Sequence, residues 1–280
     1  MPANLPYEYR YLRSKKRFPH VWCPGCGVGI VMGSIIRAVD ALKWELDDIV
    51  MVSGIGCTSR MPVYVDFNTL HTTHGRSLAF GTGVKMANPD LNVMAVMGDG
   101  DALAIGGNHI IHAARRNIDI TAIIVNNNNY GMTGGQFSPT TPPGAKTSTT
   151  PYGMIEPEFD VCSLMEGAGA SFVARGTVYH VTELDNFIQK AFRKKGFSVV
   201  EVLSPCPTNF GRANRQGGPV EMMKLLKEQT INRSQLEAMK PSQVKGKVVR
   251  GIFVDRDSVS YGERYEALCQ DAKKAAEAGK

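Results

Sequence analysis

The chain has 280 residues, of which 43% are hydrophobic and 21% charged, so it can bury a full core without disulfides. Its net charge of +6 predicts a basic surface, either simply solvated or able to dock an acidic protein. No apolar run is long enough to span a bilayer, so no membrane association is expected. We find no signal peptide and no nucleic-acid-binding signature, so we expect a cytoplasmic protein that binds no nucleic acid.

Apolar periodicity alternates between the helical and the extended type along the chain. Helices are predicted at 29–42, 77–87, 102–116, 157–167 and 182–194, and strands at 48–53, 92–97, 118–125, 171–174 and 197–203. Continuous apolar strands between helices indicate a parallel sheet buried on both sides. The predicted fold class is therefore α/β, a parallel sheet with helices on both faces.

The same pattern predicts one α/β domain over residues 15–210. A long loop rich in proline, threonine and serine occupies 136–154, and loops of that length are usually functional or disordered. Residues 211–280 form a polar C-terminal extension, with a helix expected around 220–239 and a frayed end from 271 onward. We expect this extension to pack on a partner subunit.

Two polar segments follow neighbouring predicted strands, GDGD at 98–101 and NNNNYG at 126–131. The GxGxxG spacing of a dinucleotide-binding loop is absent, although glycines before a helix suit a phosphate. Two carboxylates would repel a diphosphate unless a hard divalent cation lay between them. The carboxyl ends of adjacent parallel strands meet at one edge, so we predict a diphosphate cofactor held through a metal by Asp99 and Asn127.

Four of the six cysteines lie in a second pattern. A CxxC motif occupies 23–26, while Cys57 and Cys206 each follow the end of a predicted strand. Four thiolates suit either zinc or an iron–sulfur cluster, and their wide separation along the chain favours the cluster. Cys162 lies in a helical pattern and is expected in the core, and Cys269 in the extension is expected to have no role.

The motifs taken together resemble those of the β subunits of 2-oxoacid:ferredoxin oxidoreductases. The resemblance spans about 15–240 and is carried by CPGCG at 23–27, GIGC at 54–57, GDGD at 98–101, NNNNYGMTGGQ at 126–136 and SPCPT at 204–208. The stretch from 130 to 142 is more similar to the 2-oxoglutarate type than to the pyruvate type. A pyruvate-specific or broad-specificity enzyme is the alternative, and a zinc-knot binding subunit without redox activity is the alternative from another class.

The resemblance implies three cofactors: thiamine diphosphate, Mg²⁺ and one [4Fe–4S] cluster. The implied Mg²⁺ ligands are Asp99, Asn127 and the carbonyl of Asn129. The implied cluster ligands are Cys23, Cys26, Cys57 and Cys206. The wider set implied to bind the cofactors is Ile55, Gly56, Cys57, Thr58, His74, Gly98, Asp99, Gly100, Asp101, Asn127, Asn129, Tyr130, Gly131, Met132 and Thr133.

The implied reaction converts 2-oxoglutarate, coenzyme A and oxidised ferredoxin reversibly to succinyl-CoA, CO₂ and reduced ferredoxin, with the thiamine ring accepting the electron pair that CO₂ leaves behind. Thiamine enzymes also need a glutamate against the aminopyrimidine ring, which comes from a pyrimidine-binding domain. The chain has room for one α/β domain only, so a partner α subunit is expected to supply that glutamate. His74, before the helix at 77–87, is the one candidate catalytic residue on this chain.

Overall fold

The computed structural model describes residues 6–14 and 18–278, without the side chain at position 237. Eight strands form one sheet in the order β2-β1-β3-β4-β6-β5-β8-β7. The strands are β1 Ile49–Ser53, β2 Asn68–His71, β3 Asn92–Gly98, β4 Thr121–Asn126, β5 Phe172–Thr177, β6 Ser198–Leu203, β7 Thr230–Asn232 and β8 Val248–Asp255. Strands β1 to β6 pair in parallel, and β8 pairs antiparallel with β5.

Helices cover both faces of this sheet. The helices are α1 Val28–Leu42, α2 Ser77–Ala87, α3 Gly107–Arg116, α4 Val161–Ala168, α5 Val181–Arg193, α6 Pro219–Glu228, α7 Pro241–Val244 and α8 Tyr261–Ala278. Helices α1 and α5 bury their apolar residues in one core layer, and α2, α3 and α4 do so in the other. Val199 and Val200 are neighbours in β6, and both are fully buried, one in each layer. The predicted fold class is confirmed.

Most element boundaries agree with the periodicity, with two differences near the predicted site. The helix expected at 102–116 begins with one π-helical turn at Asp101–Ile105 before α3. The helix expected from 157 begins at Val161, because the side chain of Asp160 caps it by accepting from the backbone N–H groups of Cys162 and Ser163. Cys162 is fully buried, as predicted.

The C-terminal extension differs more from its prediction. The helix expected around 220–239 ends at Glu228 and is followed by β7, so this prediction is wrong in length. The end from 271 was expected to fray, but α8 is helical through Ala278. Strand β8 joins the main sheet beside β5, and β7 pairs with β8. Within the described residues, none of the helices combines the length and apolarity needed to cross a bilayer.

Candidate functional site

The candidate site lies at the carboxyl edge of the central strands. The pairing register sets Ser53 beside Val96, Gly98 beside Val125, and Asn126 beside Leu203. Strands β1, β3, β4 and β6 therefore end side by side. The segments that follow them, which contain most of the predicted site, meet above one edge of the sheet.

Asp99 follows β3 and is 2% exposed. Ser138 Oγ and Thr140 Oγ1 each donate a hydrogen bond of 2.7 Å to Asp99 Oδ2. Burial raises the pKa of Asp99 to about 6, and the hydrogen bonds from Thr140 and Ser138 oppose that rise. Sequence reasoning missed both hydroxyls, although their loop was already identified by its length and its threonine and serine content.

The asparagine run at 126–129 begins at the last residue of β4. Asn126 Nδ2 donates to Glu201 at 2.8 Å, and its Oδ1 accepts from the backbone N–H of Asn128 at 3.1 Å, so this side chain is already engaged within the protein. Asn127 and Asn129 both line the cleft that contains the GDGD segment. Asn127 Oδ1 also accepts from the backbone N–H of Asn129 at 3.4 Å, which fixes the turn.

Asp101 connects its own segment to the loop after β1 and to the loop before α2. Its Oδ1 accepts from His74 Nδ1 at 2.5 Å and from the backbone N–H groups of Gly75 at 2.7 Å and Ile55 at 3.3 Å. Its Oδ2 is buried without a hydrogen-bond partner. The two aspartates of the GDGD segment therefore differ in their surroundings, and Asp101 orients the imidazole of His74.

A cleft of about 90 Å³ joins these segments. All residues that the resemblance implied as cofactor-binding line it, from the loops after β1, β3 and β4 and from the loop before α2. They are Ile55, Gly56, Cys57, Thr58, His74, Gly98, Asp99, Gly100, Asp101, Asn127, Asn129, Tyr130, Gly131, Met132 and Thr133. Several large apolar side chains at and beside this cleft are exposed, namely Ile55, Ile105 and Met132.

The thiols of Cys57 and Cys206 lie next to Gly131, just after the asparagine run at 126–129. A Cβ atom at Gly131 would lie 3.5 Å from Cys57 Sγ and 3.6 Å from Cys206 Sγ, so the two sulfurs face the same backbone position. Cys26 and Cys23 complete the set, since the thiol of Cys57 interacts electrostatically with Cys26, Cys206 and Cys23.

The environment of these thiols is apolar. Burial is the main cause that raises the pKa of Cys57 to about 12, and the neighbouring thiols contribute to the same rise. Burial also raises the pKa of Cys26 to about 11. Cys206 is buried, whereas Cys23 is exposed. Trp22 Nε1 donates to the carbonyl of Cys57 at 2.7 Å and thereby connects the CxxC segment to the loop after β1. In the described parts of the chain, no group of three or more His, Cys, Asp or Glu side chains is arranged to hold a single metal ion.

Comparison with known proteins places the chain in a family. Residues 54–202 match the family model described as thiamine pyrophosphate enzyme, C-terminal TPP binding domain. The chain is 54% identical, over 95% of its length and 93% of the relative, to the 2-oxoglutarate synthase subunit KorB of Methanothermobacter marburgensis. It is 48% identical, over 94% of its length and 97% of the relative, to the subunit of that name from Methanocaldococcus jannaschii.

A solved structure has the same fold. It is the 2-oxoglutarate:ferredoxin oxidoreductase from Magnetococcus marinus with 2-oxoglutarate, coenzyme A and succinyl-CoA bound. The two proteins are 30% identical and superpose with a TM-score of 0.84 over 95% of this chain and 90% of that one. The chain therefore belongs to the KorB family of 2-oxoglutarate synthase subunits, built on the TPP-binding domain of thiamine pyrophosphate enzymes.

Proposed function

We propose that the chain is the β subunit of a 2-oxoglutarate:ferredoxin oxidoreductase, converting 2-oxoglutarate and coenzyme A to succinyl-CoA and CO₂ while reducing ferredoxin. One observation carries this proposal. Asp99, Asn127 and Asn129 line a cleft whose wall at Gly131 also faces Cys57 Sγ and Cys206 Sγ. A diphosphate site and a thiol site that share one backbone segment suit a reaction in which electrons leave a bound cofactor for a nearby acceptor.

The carboxylate side of this cleft fits a divalent cation with a diphosphate. We propose that the Asp99 carboxylate, the Asn127 side-chain oxygen and the Asn129 carbonyl hold Mg²⁺, because this cation prefers oxygen ligands around phosphates. Asp99 Oδ2 already accepts from Ser138 and Thr140, so its carboxylate is oriented before any cation binds. Thiamine diphosphate, when bound, supplies the electron sink for the loss of CO₂.

The thiol side fits a cluster better than a single ion. A [4Fe–4S] cluster takes one cysteine at each of four iron atoms, so its ligands stand farther apart than those of one zinc ion. The four thiols are close enough to interact electrostatically with one another. We propose Cys23, Cys26, Cys57 and Cys206 as the ligands, with the raised pKa values of Cys26 and Cys57 offset by the positive charge of the iron.

Several observations support a partner subunit. The cleft volume of about 90 Å³ is well below the roughly 300 Å³ at the lower end of ligand pockets, so this chain can enclose only part of the cofactor. Exposed apolar side chains surround its mouth, Ile55, Ile105 and Met132 among them. We propose that an α subunit covers this surface and supplies the activating glutamate. Helix α8, at the end of the 211–280 extension, would pack on a partner too, since none of its described residues is buried, whereas β7 and β8 already pair within this chain's own sheet.

His74 is proposed to contact the bound cofactor or the substrate. Its Nδ1 faces Asp101, its ring packs edge-on against Tyr130, and its side chain is 34% exposed at the cleft. Asp101 therefore holds one ring nitrogen and leaves Nε2 available toward the reacting groups. An imidazole held in this orientation suits hydrogen bonding or proton transfer at the cleft mouth.

The test is a substrate panel on the complex of this chain co-expressed with its α subunit under anaerobic conditions. We expect viologen reduction that depends on coenzyme A and is fastest with 2-oxoglutarate. Faster turnover with pyruvate would overturn the substrate assignment. A colourless, zinc-loaded protein without turnover would support the zinc-knot alternative, and full turnover by this chain alone would overturn the need for an α subunit.

A further inference from the structure

Asn129 contacts both halves of the site. Its backbone carbonyl belongs to the turn proposed to hold Mg²⁺, and its side chain points the opposite way, toward the thiols. Asn129 Nδ2 donates to Cys206 Sγ at 3.7 Å, within the range for hydrogen bonds to sulfur. Asn129 is 2% exposed and Cys206 is 9% exposed, so water does not compete for this contact.

The chemistry of the amide determines which of its atoms faces the sulfur. A thiolate is an acceptor, so it attracts the N–H of the amide and repels the carbonyl oxygen. The remaining oxygen, Asn129 Oδ1, is buried without a partner, and it would lie 3.6 Å from a Cβ atom at Gly131. A buried amide that leaves its oxygen unpaired but directs its N–H toward a cysteine gains its stabilisation chiefly from that cysteine.

We propose that Asn129 raises the reduction potential of the cluster held by Cys206, a role that rests on the proposed function. Reduction adds one electron, and therefore one negative charge, to the cluster and its four thiolates, without a proton transfer. An N–H donor to a ligating sulfur stabilises that added charge, and hydrogen bonds to sulfur are one of the main determinants of cluster potentials. Asn129 thus makes the cluster a better electron acceptor.

The test is an anaerobic redox titration of the complex of this chain with its partner subunits, with reduction by dithionite followed by electron paramagnetic resonance. The signal of this cluster is identified as the one that Cys57→Ala abolishes. Asn129→Leu removes the donor, and Asn129→Asp removes it at nearly constant volume while adding a negative charge. Asn128→Asp adds the same charge one residue earlier, and its positive φ of 62° is one that aspartate accepts.

We expect Asn129→Leu to lower the reduction potential of the cluster. The equilibrium constant for reduction should fall by about 2- to 10-fold, which is the range for the loss of one buried hydrogen bond. Asn129→Asp should lower it further, and Asn128→Asp should leave it nearly unchanged.

Three results would overturn the inference. The first is an intact cluster with an unchanged potential in Asn129→Leu and Asn129→Asp. The second is an equal shift in Asn128→Asp and Asn129→Asp, which would assign the effect to charge at a distance. The third is the absence of any cluster signal in the unmodified complex, which would overturn the proposed function together with the inference. If Asn129→Leu fails to assemble the cluster, the comparison of Asn129→Asp with Asn128→Asp decides, since Asn129→Asp preserves the packing volume.

Discussion

The carboxylate side of the candidate site, around Asp99, and its thiol side, around Cys57 and Cys206, differ in how the protein surrounds them. On the carboxylate side, Asp99 Oδ2 accepts two hydrogen bonds of 2.7 Å from the long loop. On the thiol side, burial raises the pKa of Cys57 to about 12, and the hydrogen bond from Asn129 to Cys206 is a long one of 3.7 Å. One side is therefore satisfied by the protein itself, whereas on the other side burial favours the neutral form of the Cys26 and Cys57 thiols.

This difference has a thermodynamic consequence. Hydroxyl donors hold the Asp99 carboxylate in place, so the diphosphate side keeps its arrangement without a cation. Burial favours the neutral form of the Cys26 and Cys57 thiols, so the proposed cluster would supply the compensating charge and its binding would contribute to folding. We therefore expect losses on the diphosphate side to reduce binding and losses on the thiol side to reduce stability.

The largest effect is expected from Asp99→Ala. Removal of the only carboxylate proposed to bind the cation should weaken thiamine diphosphate binding by more than about 100-fold. Titration calorimetry with Mg²⁺ and thiamine diphosphate measures this, and the visible spectrum shows whether the cluster remains. Loss of the cofactor and the cluster together would instead indicate a folding defect and weaken the comparison.

Next in size is Cys57→Ala, matched by Cys269→Ala as a control. Loss of one of the four proposed ligands should remove nearly all bound iron and lower the Tm, because the remaining thiols, of which Cys206 is buried and Cys26 partly buried, then lack their compensating charge. Cys269 lies in α8, and its substitution should leave both quantities unchanged. Iron analysis and calorimetry decide the matter, and equal effects of the two substitutions would contradict the cysteine assignment.

A smaller effect is expected from Asp101→Asn. The change replaces a carboxylate that accepts from His74, Gly75 and Ile55, and hydrogen bonds to charged groups are worth about 1.5–3 kcal/mol. We expect a loss of about 10-fold or more in kcat with a smaller change in thiamine diphosphate affinity. In a His74→Asn background the further loss in kcat should be small. Fully additive losses would show that Asp101 does not act through His74.

The smallest effect is expected from the long loop. Ser138→Ala and Thr140→Val each remove one donor to Asp99 and should weaken Mg²⁺-dependent cofactor binding by about 10-fold. Ser148→Ala, at an exposed position of the same loop, is the control and should have no effect. Unchanged affinity in the Ser138→Ala, Thr140→Val double variant would show that Asp99 needs no support from the loop.

The sequence predicts the central fold well because its strands are buried on both faces and its helices are amphipathic. Strand β2 was missed because it is short and polar, with Asn68 and His71 exposed. The strand β8 was missed because it lies in a segment treated as a polar tail, and its pairing with β5 is a long-range contact that periodicity does not reveal.

The candidate site divides in the same way. Asp99 and Asn127 were found from their places after adjacent strands, which is local information. Ser138 and Thr140 are 39 and 41 residues from Asp99 in sequence, so their hydrogen bonds depend on how the loop folds back. The different surroundings of Asp99 and Asp101 were equally hidden, because both follow β3 in one motif and only the tertiary structure separates them.

We propose that one edge of the sheet holds thiamine diphosphate within electron-transfer reach of a cluster. The most direct test is single-turnover reduction of the anaerobic complex without ferredoxin, monitored by the cluster absorbance near ~400 nm. We expect 2-oxoglutarate to bleach this band in the unmodified complex and not in Asp99→Ala, although dithionite bleaches both. Succinyl-CoA formation with no change in the absorbance of an intact cluster would contradict the claim.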